Sequence, residues 1–261
     1  MSWKRAASSL AGQLVYGTGL HRVLLGDRAV VVVFHRVDDR YPRDPITISR
    51  RTFKDYCEFF ARHFRVCSLA ELLGRLHREA DLSRCLAITF DDGYLDNYTV
   101  AAPILESCGL RATFFVTTGF IGSPMVPWWD RKQGIDSEWM TWEQVADLRA
   151  RGHEVGAHTV SHPDLGVVEG DPARREIVES RRELEQRLGT AVEMFAYPYG
   201  RVNGISDANR GLVREAGYSC CAGAYGGLVQ ARQDPFELCR IPVSAWYGSP
   251  HDFGLSVLRS H

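Results

Sequence analysis

The chain has 261 residues, and its 31 lysines and arginines nearly balance 32 aspartates and glutamates, so the formal net charge is −1. A balanced charge argues against nucleic acid as the main partner, because phosphate binding requires a basic excess. The hydrophobic content of 45% excludes an intrinsically disordered chain, and the absence of any apolar run of about 18 residues predicts no transmembrane helix.

Residues 1–28 are predicted to form an amphipathic helical segment ahead of the main domain. Lys4 and Arg5 precede a mildly apolar stretch from Ala6 to Leu20, an order that weakly imitates a secretory signal peptide. Polar residues and glycines interrupt the stretch, and no convincing small-residue cleavage site follows it. We therefore expect a helix that lies on the domain or makes weak peripheral contact with a membrane surface.

From residue 29 to residue 261 the sequence predicts one domain in which apolar, β-rich runs alternate with segments of helical period. The predicted strands cover 29–34, 86–90, 112–116, 154–157 and 193–196, with weaker candidates at 64–67, 218–222 and 239–243. The predicted helices cover 53–63, 69–79, 98–108, 142–151, 172–188 and 207–216. In the longest of them, Asp171 is the expected N-cap and Pro172 the first helical residue. This alternation predicts an α/β fold, and about eight strands in one domain favour a barrel over an open sheet.

One connection between predicted strands is unusually long and runs from Gly119 to Trp139. It holds Trp128, Trp129 and Trp139 among glycines and prolines. A long loop at the end of a barrel strand often shapes a substrate site, and tryptophan faces suit the C–H surfaces of sugar rings. The alternatives are a loop packed on the domain's own surface and tryptophans that belong to the core.

The seven cysteines are odd in number, scattered along the chain and without a Cys-x-x-Cys pair. This pattern indicates reduced thiols in a cytoplasmic protein rather than a disulfide framework. Secretion or a periplasmic location is the alternative.

Two short motifs with metal-binding chemistry follow predicted strands. In Thr89-Phe-Asp-Asp-Gly93 the neighbouring acids point in different directions, so one is expected to hold a metal and the other to contact the attacking water. In His158-Thr-Val-Ser-His162 the histidines are four apart and can face the same way on a helical turn. Two imidazoles and one carboxylate form an open three-ligand site for a divalent metal.

These motifs, together with Tyr197-Pro-Tyr-Gly200, resemble the first three motifs of the polysaccharide deacetylases, the NodB homology domain of carbohydrate esterase family four. They appear in the family's order, and the resemblance spans about residues 29–245. It implies a distorted (β/α)-barrel of seven or eight strands. It also implies a carbohydrate substrate and metal-dependent hydrolysis of an N-acetyl group on an amino-sugar polysaccharide or glycoconjugate, with release of acetate.

The resemblance implies a role for each matching residue. Asp91 corresponds to the catalytic base, and the metal ligands correspond to Asp92, His158 and His162. The backbone N–H of Tyr199 matches the group that helps to bind the oxyanion. For such a donor set the expected metal is Zn²⁺, although Fe, Co or Ni can also bind.

Two features depart from the common family pattern. Ala196 stands where the family has an arginine that buttresses the base, two residues before the proline of the third motif. The C-terminal Leu-x-x-His motif that supplies the general acid is not evident, and His251 is the only nearby candidate for that role.

A subgroup of the family, the deacetylases that act on poly-β-1,6-N-acetylglucosamine, resolves both gaps. In this subgroup the strand bearing the acid histidine lies at the N-terminus, as in a circular permutation. Val33-Phe-His-Arg-Val37 resembles that segment, so His35 is the expected general acid. By analogy Arg240 replaces the missing arginine beside the base, with Arg36 as the competitor.

The sequence alone leaves other functions open. The same scaffold can carry an O-acetyl esterase or a deformylase, and a catalytically silent carbohydrate-binding domain is a further alternative. The silent domain would require the loss of a metal or base residue, and this sequence keeps all four.

Overall fold

A curled sheet surrounded by helices forms the body of the computed structural model, which describes residues 3–244 and 246–260. The strands are β1 (Arg28–Phe34), β2 (Arg36–Val37), β3 (Thr47–Ile48), β4 (Arg65–Val66), β5 (Cys85–Phe90), β6 (Thr113–Val116), β7 (Glu154–Ala157), β8 (Met194–Ala196), β9 (Cys220–Ala222), β10 (Val229–Gln230) and β11 (Ile241–Pro242). The helices are α1 (Trp3–Gly17), α2 (Leu20–Leu25), α3 (Arg50–His63), α4 (Leu69–His77), α5 (Ala102–Ser107), α6 (Trp128–Gln133), α7 (Trp142–Ala150), α8 (Gly170–Leu188), α9 (Asp207–Glu215) and α10 (Pro250–Val257).

The main sheet curls into a distorted barrel, and its strands are parallel except β10, which pairs antiparallel with the start of β1. Its strands lie in the order β1, β5, β6, β7, β8 and β9, and each pair of neighbours is parallel. At the other edge of β1, Ile241 of β11 pairs in parallel with Val32. Leu238, three residues earlier, bridges to Ala222 of β9. The segment 238–242 therefore joins the two ends of the sheet, and the predicted distorted (β/α) barrel is confirmed.

Burial on both faces of the strands explains their uninterrupted apolar sequences. Every residue of β1 after Arg28 is buried. Val30 and Val32 join the apolar cluster that contains the surrounding helices, whereas Val31 joins a second cluster with Phe115. This second cluster fills the barrel interior and includes leucines of α4, so α4 closes one end of the barrel.

The N-terminal segment packs on the barrel as two helices separated by Thr18 and Gly19. Its inward face meets α10, where Gly12 lies so close to the His251 carbonyl oxygen that an added Cβ would clash with it. The Tyr16 hydroxyl donates to the Gly254 carbonyl at 3.1 Å. The boundary proposed at residue 28 stays a prediction, and positions 1, 2, 245 and 261 of the two predicted regions lie outside the described residues.

Most predicted elements match the observed ones to within two residues, with three differences of substance. Helix α8 begins at Gly170, and Asp171 lies in its first turn without a capping hydrogen bond among the described residues, so the predicted N-cap was wrong. The long connection from Gly119 contains helix α6 rather than loop alone. The first four residues of the predicted helix 98–108 belong to a π-helix at Asn97–Ala101, and the segment is a regular α-helix only in α5. Within the described residues no helix is long and apolar enough to cross a bilayer.

We expect Gly156→Ala to lower the free energy of unfolding by about 1–3 kcal/mol, because overpacking a close-packed core is costly. A Cβ on Gly156 would lie 2.5 Å from the Phe115 ring and 2.9 Å from the Met194 carbonyl oxygen. The matched control is Gly211→Ala in α9, where no heavy atom lies within 4 Å of the added Cβ. There the higher helix propensity of alanine should stabilise by about 0.5–1 kcal/mol. Urea unfolding measures both; equal effects would contradict the packing argument.

Candidate metal centre and active site

The predicted site residues gather at one end of the barrel. Asp91 and Asp92 directly follow β5, and His158 directly follows β7. His35 follows β1 in the same way, and Tyr199 comes three residues after β8. Since neighbouring parallel strands end at the same edge, side chains that are distant in sequence meet there.

Three of these side chains converge on one point. The Oδ1 atom of Asp92 lies 3.4 Å from Nε2 of His158 and 3.3 Å from Nε2 of His162. One ligand atom from each of the three residues lies within 4.8 Å of the other two. This is the only such group of three that the described residues contain.

The donor set fits a divalent cation. The Nδ1 atom of His158 lies 2.8 Å from the carbonyl oxygen of Ala196, so it carries the proton and Nε2 presents its lone pair. Asp92 Oδ1 is buried and accepts no hydrogen bond from the described residues. An orphaned buried carboxylate oxygen between two imidazoles is costly unless a cation lies there. Two nitrogen donors and one oxygen donor with a free position suit Zn²⁺ and also Fe²⁺.

The backbone around this centre is strained. Asp92, Thr159, His162 and Tyr199 all have positive φ, between 59° and 76°. Residues with a Cβ avoid this region, and such strain concentrates at functional sites. The segment from His158 to His162 is therefore an irregular loop, and the expectation of a helical turn was wrong. The positive φ of His162, rather than helical periodicity, turns its ring towards Asp92.

A glutamate that the sequence did not single out holds this loop. Glu176 of α8 accepts hydrogen bonds from the backbone N–H groups of Val160 and Ser161, at 2.8 and 2.9 Å. The Thr159 hydroxyl accepts from the His162 N–H at 3.0 Å. A carboxylate that accepts from two consecutive N–H groups stabilises the loop in this conformation. Only the three-dimensional structure of the loop reveals this contact.

Asp91 pairs with Arg240, and its Oδ2 atom also lies 3.9 Å from Nε2 of His158. The guanidinium donates from Nη1 to Oδ1 at 2.7 Å and from Nη2 to Oδ2 at 2.8 Å, and both side chains are buried. This fork-to-fork geometry is the strongest that an arginine and a carboxylate can form. Arg36, the competing candidate, instead pairs with Asp44 and Asp130.

The charges of the site keep both carboxylates ionised. Burial acts to raise the pKa of Asp91, but Arg240 and His158 outweigh it and hold that pKa below its ordinary value. Burial likewise opposes ionisation of Asp92, yet contacts with His158 and His162 hold its pKa well below the usual range. The pKa of His158 is raised because the two carboxylates outweigh its burial. Two adjacent acids can therefore both be anionic at neutral pH.

His35 lies within the electrostatic reach of both carboxylates. Burial lowers the pKa of its imidazole more than the charges of Asp92 and Asp91 raise it. Two residues that the sequence did not single out hold the backbone around it: Asn97 donates to the His35 carbonyl at 2.7 Å, and Asp96 accepts from the Val37 N–H at 2.8 Å. Asn97 opens the π-helix, a rare irregularity that is frequent at functional sites.

The other histidine considered for the acid role lies elsewhere. His251 is on α10, where its ring packs against Tyr16, Phe59 and His63. None of these residues belongs to the metal centre.

Tyr199 and two tryptophans form one wall of the site. The backbone N–H of Tyr199 donates no hydrogen bond to any described residue, which leaves it free for a ligand. The His162 ring packs against Tyr199 and Trp129, with centroids 4.9 and 4.7 Å away. Trp128 is 60% exposed and donates from Nε1 to the Tyr199 hydroxyl at 3.2 Å. Trp139 is buried and stacks on Tyr94, so it is a core residue and is not available to a sugar.

Arg36 and its hydrogen-bonded partners fix the position of this aromatic wall. The Arg36 guanidinium lies over the Tyr94 ring and binds Asp130, which also accepts from the Tyr94 hydroxyl. That hydroxyl in turn accepts from Trp129 Nε1 at 3.0 Å. A buried charge network of this kind has few alternative arrangements, so it fixes the long connection beside the metal centre.

Comparison with known proteins identifies the architecture. A family model described as "Polysaccharide deacetylase" matches residues 78–221. YxkH of Bacillus subtilis, named for that family, is 27% identical over 161 residues, which cover 62% of this chain and 52% of YxkH. The poly-beta-1,6-N-acetyl-D-glucosamine N-deacetylase of Escherichia coli is 29% identical over 182 residues, 58% of this chain and 26% of that enzyme. The chain thus spans about half the length of YxkH and less of the E. coli enzyme.

A solved structure shows the same fold. The deacetylase PplD of Streptococcus pyogenes, determined in complex with acetate, superimposes with a TM-score of 0.73. It is 22% identical, and the match covers 89% of this chain and 99% of PplD.

We expect Arg240→Met to lower the free energy of unfolding at neutral pH by about 3–5 kcal/mol, because it leaves the Asp91 carboxylate buried and unpaired. The deficit should shrink as the pH falls, since the unpaired carboxyl then becomes protonated and neutral. In the wild type, the low pKa of Asp91 makes the opposite contribution, present at neutral pH and lost in acid.

Denaturant unfolding at several pH values measures this effect. The double variant Asp91→Asn/Arg240→Met should recover much of the loss, because no unpaired charge remains. The control Arg232→Met removes an exposed pair with Glu79 and should cost less than about 1 kcal/mol. An Arg240→Met deficit that does not change with pH would contradict the ion-pair argument.

Proposed function

The chain belongs to the polysaccharide deacetylase family, and we propose that it hydrolyses an N-acetyl group on an amino sugar of a polysaccharide or glycoconjugate, releasing acetate in a metal-dependent reaction. The observation that carries this proposal is the convergence of Asp92, His158 and His162 beside an ionised Asp91 that Arg240 holds. Family membership supports the reaction class, and the name of the E. coli relative supports an N-acetylglucosamine polymer as substrate.

Amide hydrolysis presents three problems: a weakly electrophilic carbonyl, a developing oxyanion and a poor amine leaving group. Asp92, His158 and His162 would hold a divalent cation, which would supply polarisation of the acetyl carbonyl and a lower pKa for water. Zn²⁺ is the default for this donor set, and Fe, Co or Ni are alternatives. The remaining work falls to the protein's own side chains and backbone.

Asp91 acts as the base. Its pKa lies below the ordinary value, so it is ionised at neutral pH, and Arg240 holds both of its oxygens in place. It accepts a proton from the attacking water. As that proton neutralises the carboxylate, Arg240 retains its position through bonds to the Gly223 carbonyl and the Thr89 hydroxyl.

Tyr199 and His35 act on the other two problems. The free backbone N–H of Tyr199 donates to the oxyanion, and one such donor is typically worth about 3 kcal/mol. His35 lies near the two carboxylates and is uncharged at rest at neutral pH, because burial lowers its pKa. It passes on the proton that Asp91 takes from the water, and this proton ends on the nitrogen of the departing amine. The amine leaves as the acetyl C–N bond breaks, and acetate takes up the oxygen of the water.

Trp128 supplies a platform for the sugar. It is 60% exposed and hydrogen-bonded to Tyr199, so its face stands at the mouth of the site without being part of the core. An aromatic face of this kind suits the apolar C–H side of a pyranose ring.

We expect the protein to release acetate from N-acetylglucosamine oligomers and to stop when a chelator removes its metal. Asp91→Asn should keep the metal content and lose activity by about 10²–10⁴-fold, the usual contribution of a general base. Activity close to wild type in this variant would remove Asp91 from the base role. Absence of acetate release by the metal-loaded wild type, on both β-1,4 and β-1,6 oligomers, would overturn the proposed substrate class.

We expect His35→Ala to lower kcat with little change in metal content, while the matched control His251→Ala keeps full activity. The reason is position, since of these two histidines only His35 lies near the carboxylates. An aryl acetate has a better leaving group, so His35→Ala should affect its cleavage much less than amide cleavage. An equal loss on ester and amide, or a loss in His251→Ala instead, would contradict the acid role of His35. Wild-type preference for the ester would favour the O-acetyl esterase alternative.

We expect Trp128→Ala to raise KM for oligosaccharides about 2–12-fold, the range of a single aromatic contact, with metal content unchanged. Trp128→Phe keeps a stacking face and should retain most of the affinity. The measurement is KM and kcat for oligomers of increasing length. An unchanged KM in Trp128→Ala would show that the indole does not touch the substrate.

A further inference from the structure

The two N-terminal helices carry an unusual share of exposed apolar side chains. In the described part of the chain, eleven large apolar residues are exposed, and five of them lie within fifteen consecutive residues of α1 and α2. We refer to these five as the N-terminal apolar face: Leu10 (66% exposed), Leu14 (68%), Leu20 (47%), Val23 (78%) and Leu24 (45%).

Core packing does not account for this face. On α1, the side occupied by Gly12 and Tyr16 meets α10, whereas Leu10 and Leu14, one turn apart, project from the other side. On α2, His21 and Leu25 are the buried residues. A surface helix normally turns polar residues outward, so apolar residues on both sides indicate a second contact outside the barrel.

The charge of the same segment indicates what that contact is. Residues 3–26 contain Lys4, Arg5 and Arg22 and no aspartate or glutamate, a net charge of +3 on a chain whose total is −1. Between Ala6 and Leu20 no residue is charged. Apolar side chains flanked by basic residues, without acidic ones, complement an anionic lipid surface.

We propose that the N-terminal apolar face docks on an anionic phospholipid bilayer, with α1 and α2 lying in the plane of the headgroups. A second copy of the chain is a poorer occupant, because a symmetric contact through this face would bring two segments of charge +3 together without acidic partners. In a bilayer the leucines enter the headgroup–acyl boundary while Arg22, which is exposed, meets lipid phosphates.

The test is co-sedimentation of the full chain with vesicles of phosphatidylcholine mixed with phosphatidylglycerol, and with vesicles of phosphatidylcholine alone. We expect the wild type to bind the mixed vesicles at low salt and to be released as the ionic strength rises. Leu10→Gln/Leu14→Gln should weaken this binding about tenfold or more. The matched control Val167→Gln/Val202→Gln removes two comparably exposed apolar side chains elsewhere, 79% and 61% exposed, and should bind like the wild type.

A second pair of variants tests the charge. Arg22→Glu should weaken binding to the mixed vesicles about tenfold or more, and the control Arg51→Glu, at an exposed position of α3, should not. Acetate release from soluble oligomers should be unchanged in all four variants, which separates this proposal from the proposed function. Three results would overturn it: no binding of the wild type to anionic vesicles, equal loss in the controls, or a solution dimer that Leu10→Gln/Leu14→Gln dissociates.

Discussion

The buried ion pair between Arg240 and Asp91 is the interaction on which the rest of the site depends. Arg240 lies on the segment that joins the two ends of the sheet, and it also donates to the Gly223 carbonyl beyond β9 and to the Thr89 hydroxyl on β5. The Arg240 guanidinium thus links the segment that closes the barrel to the Asp91 carboxylate. Because an unpaired charge is costly at this depth, loss of either partner alone destabilises the closed barrel.

The second constraint is that two adjacent carboxylates must serve different partners. The positive φ of Asp92 turns its side chain towards the two imidazoles while Asp91 faces the arginine. Backbone strain of this kind costs about 1–3 kcal/mol per residue and persists only where the surroundings hold it. Here the surroundings are rigid: Glu176 and Thr159 hold the histidine loop, and the barrel packs beneath it.

The molecule separates its chemistry from its outer contacts. The metal centre and its base sit at the ends of the strands, and the Arg36 network fixes the aromatic wall beside them. The N-terminal apolar face lies on helices packed against the outside of the barrel, through α10. Changes on that face can therefore alter where the protein binds without altering the reacting groups.

The sequence by itself determined the alternation of strands and helices, and with it the α/β barrel, because burial on both faces demands uninterrupted apolar runs such as β1. It also identified Asp91, Asp92, His158 and His162 as candidates, since their motifs follow strands. What only the tertiary structure decided was how these residues meet. No feature of the sequence around Arg240 indicates which carboxylate it pairs with. Arg240 and Asp91 are 149 positions apart, and their contact, together with the pairing of Arg36 with Asp44, decides which arginine holds the base.

The same limit explains the residues that sequence reasoning missed and the turn that it predicted wrongly. Asn97 and Glu176 each form side-chain hydrogen bonds to backbone groups that are distant in sequence. No periodic sequence pattern marks such contacts. The His158–His162 loop departs from a helical turn because positive φ values are imposed by its neighbours in space, not by its own residue types. Local patterns report burial and secondary structure; strain, pairing of buried charges and convergence of ligands are properties of the closed barrel.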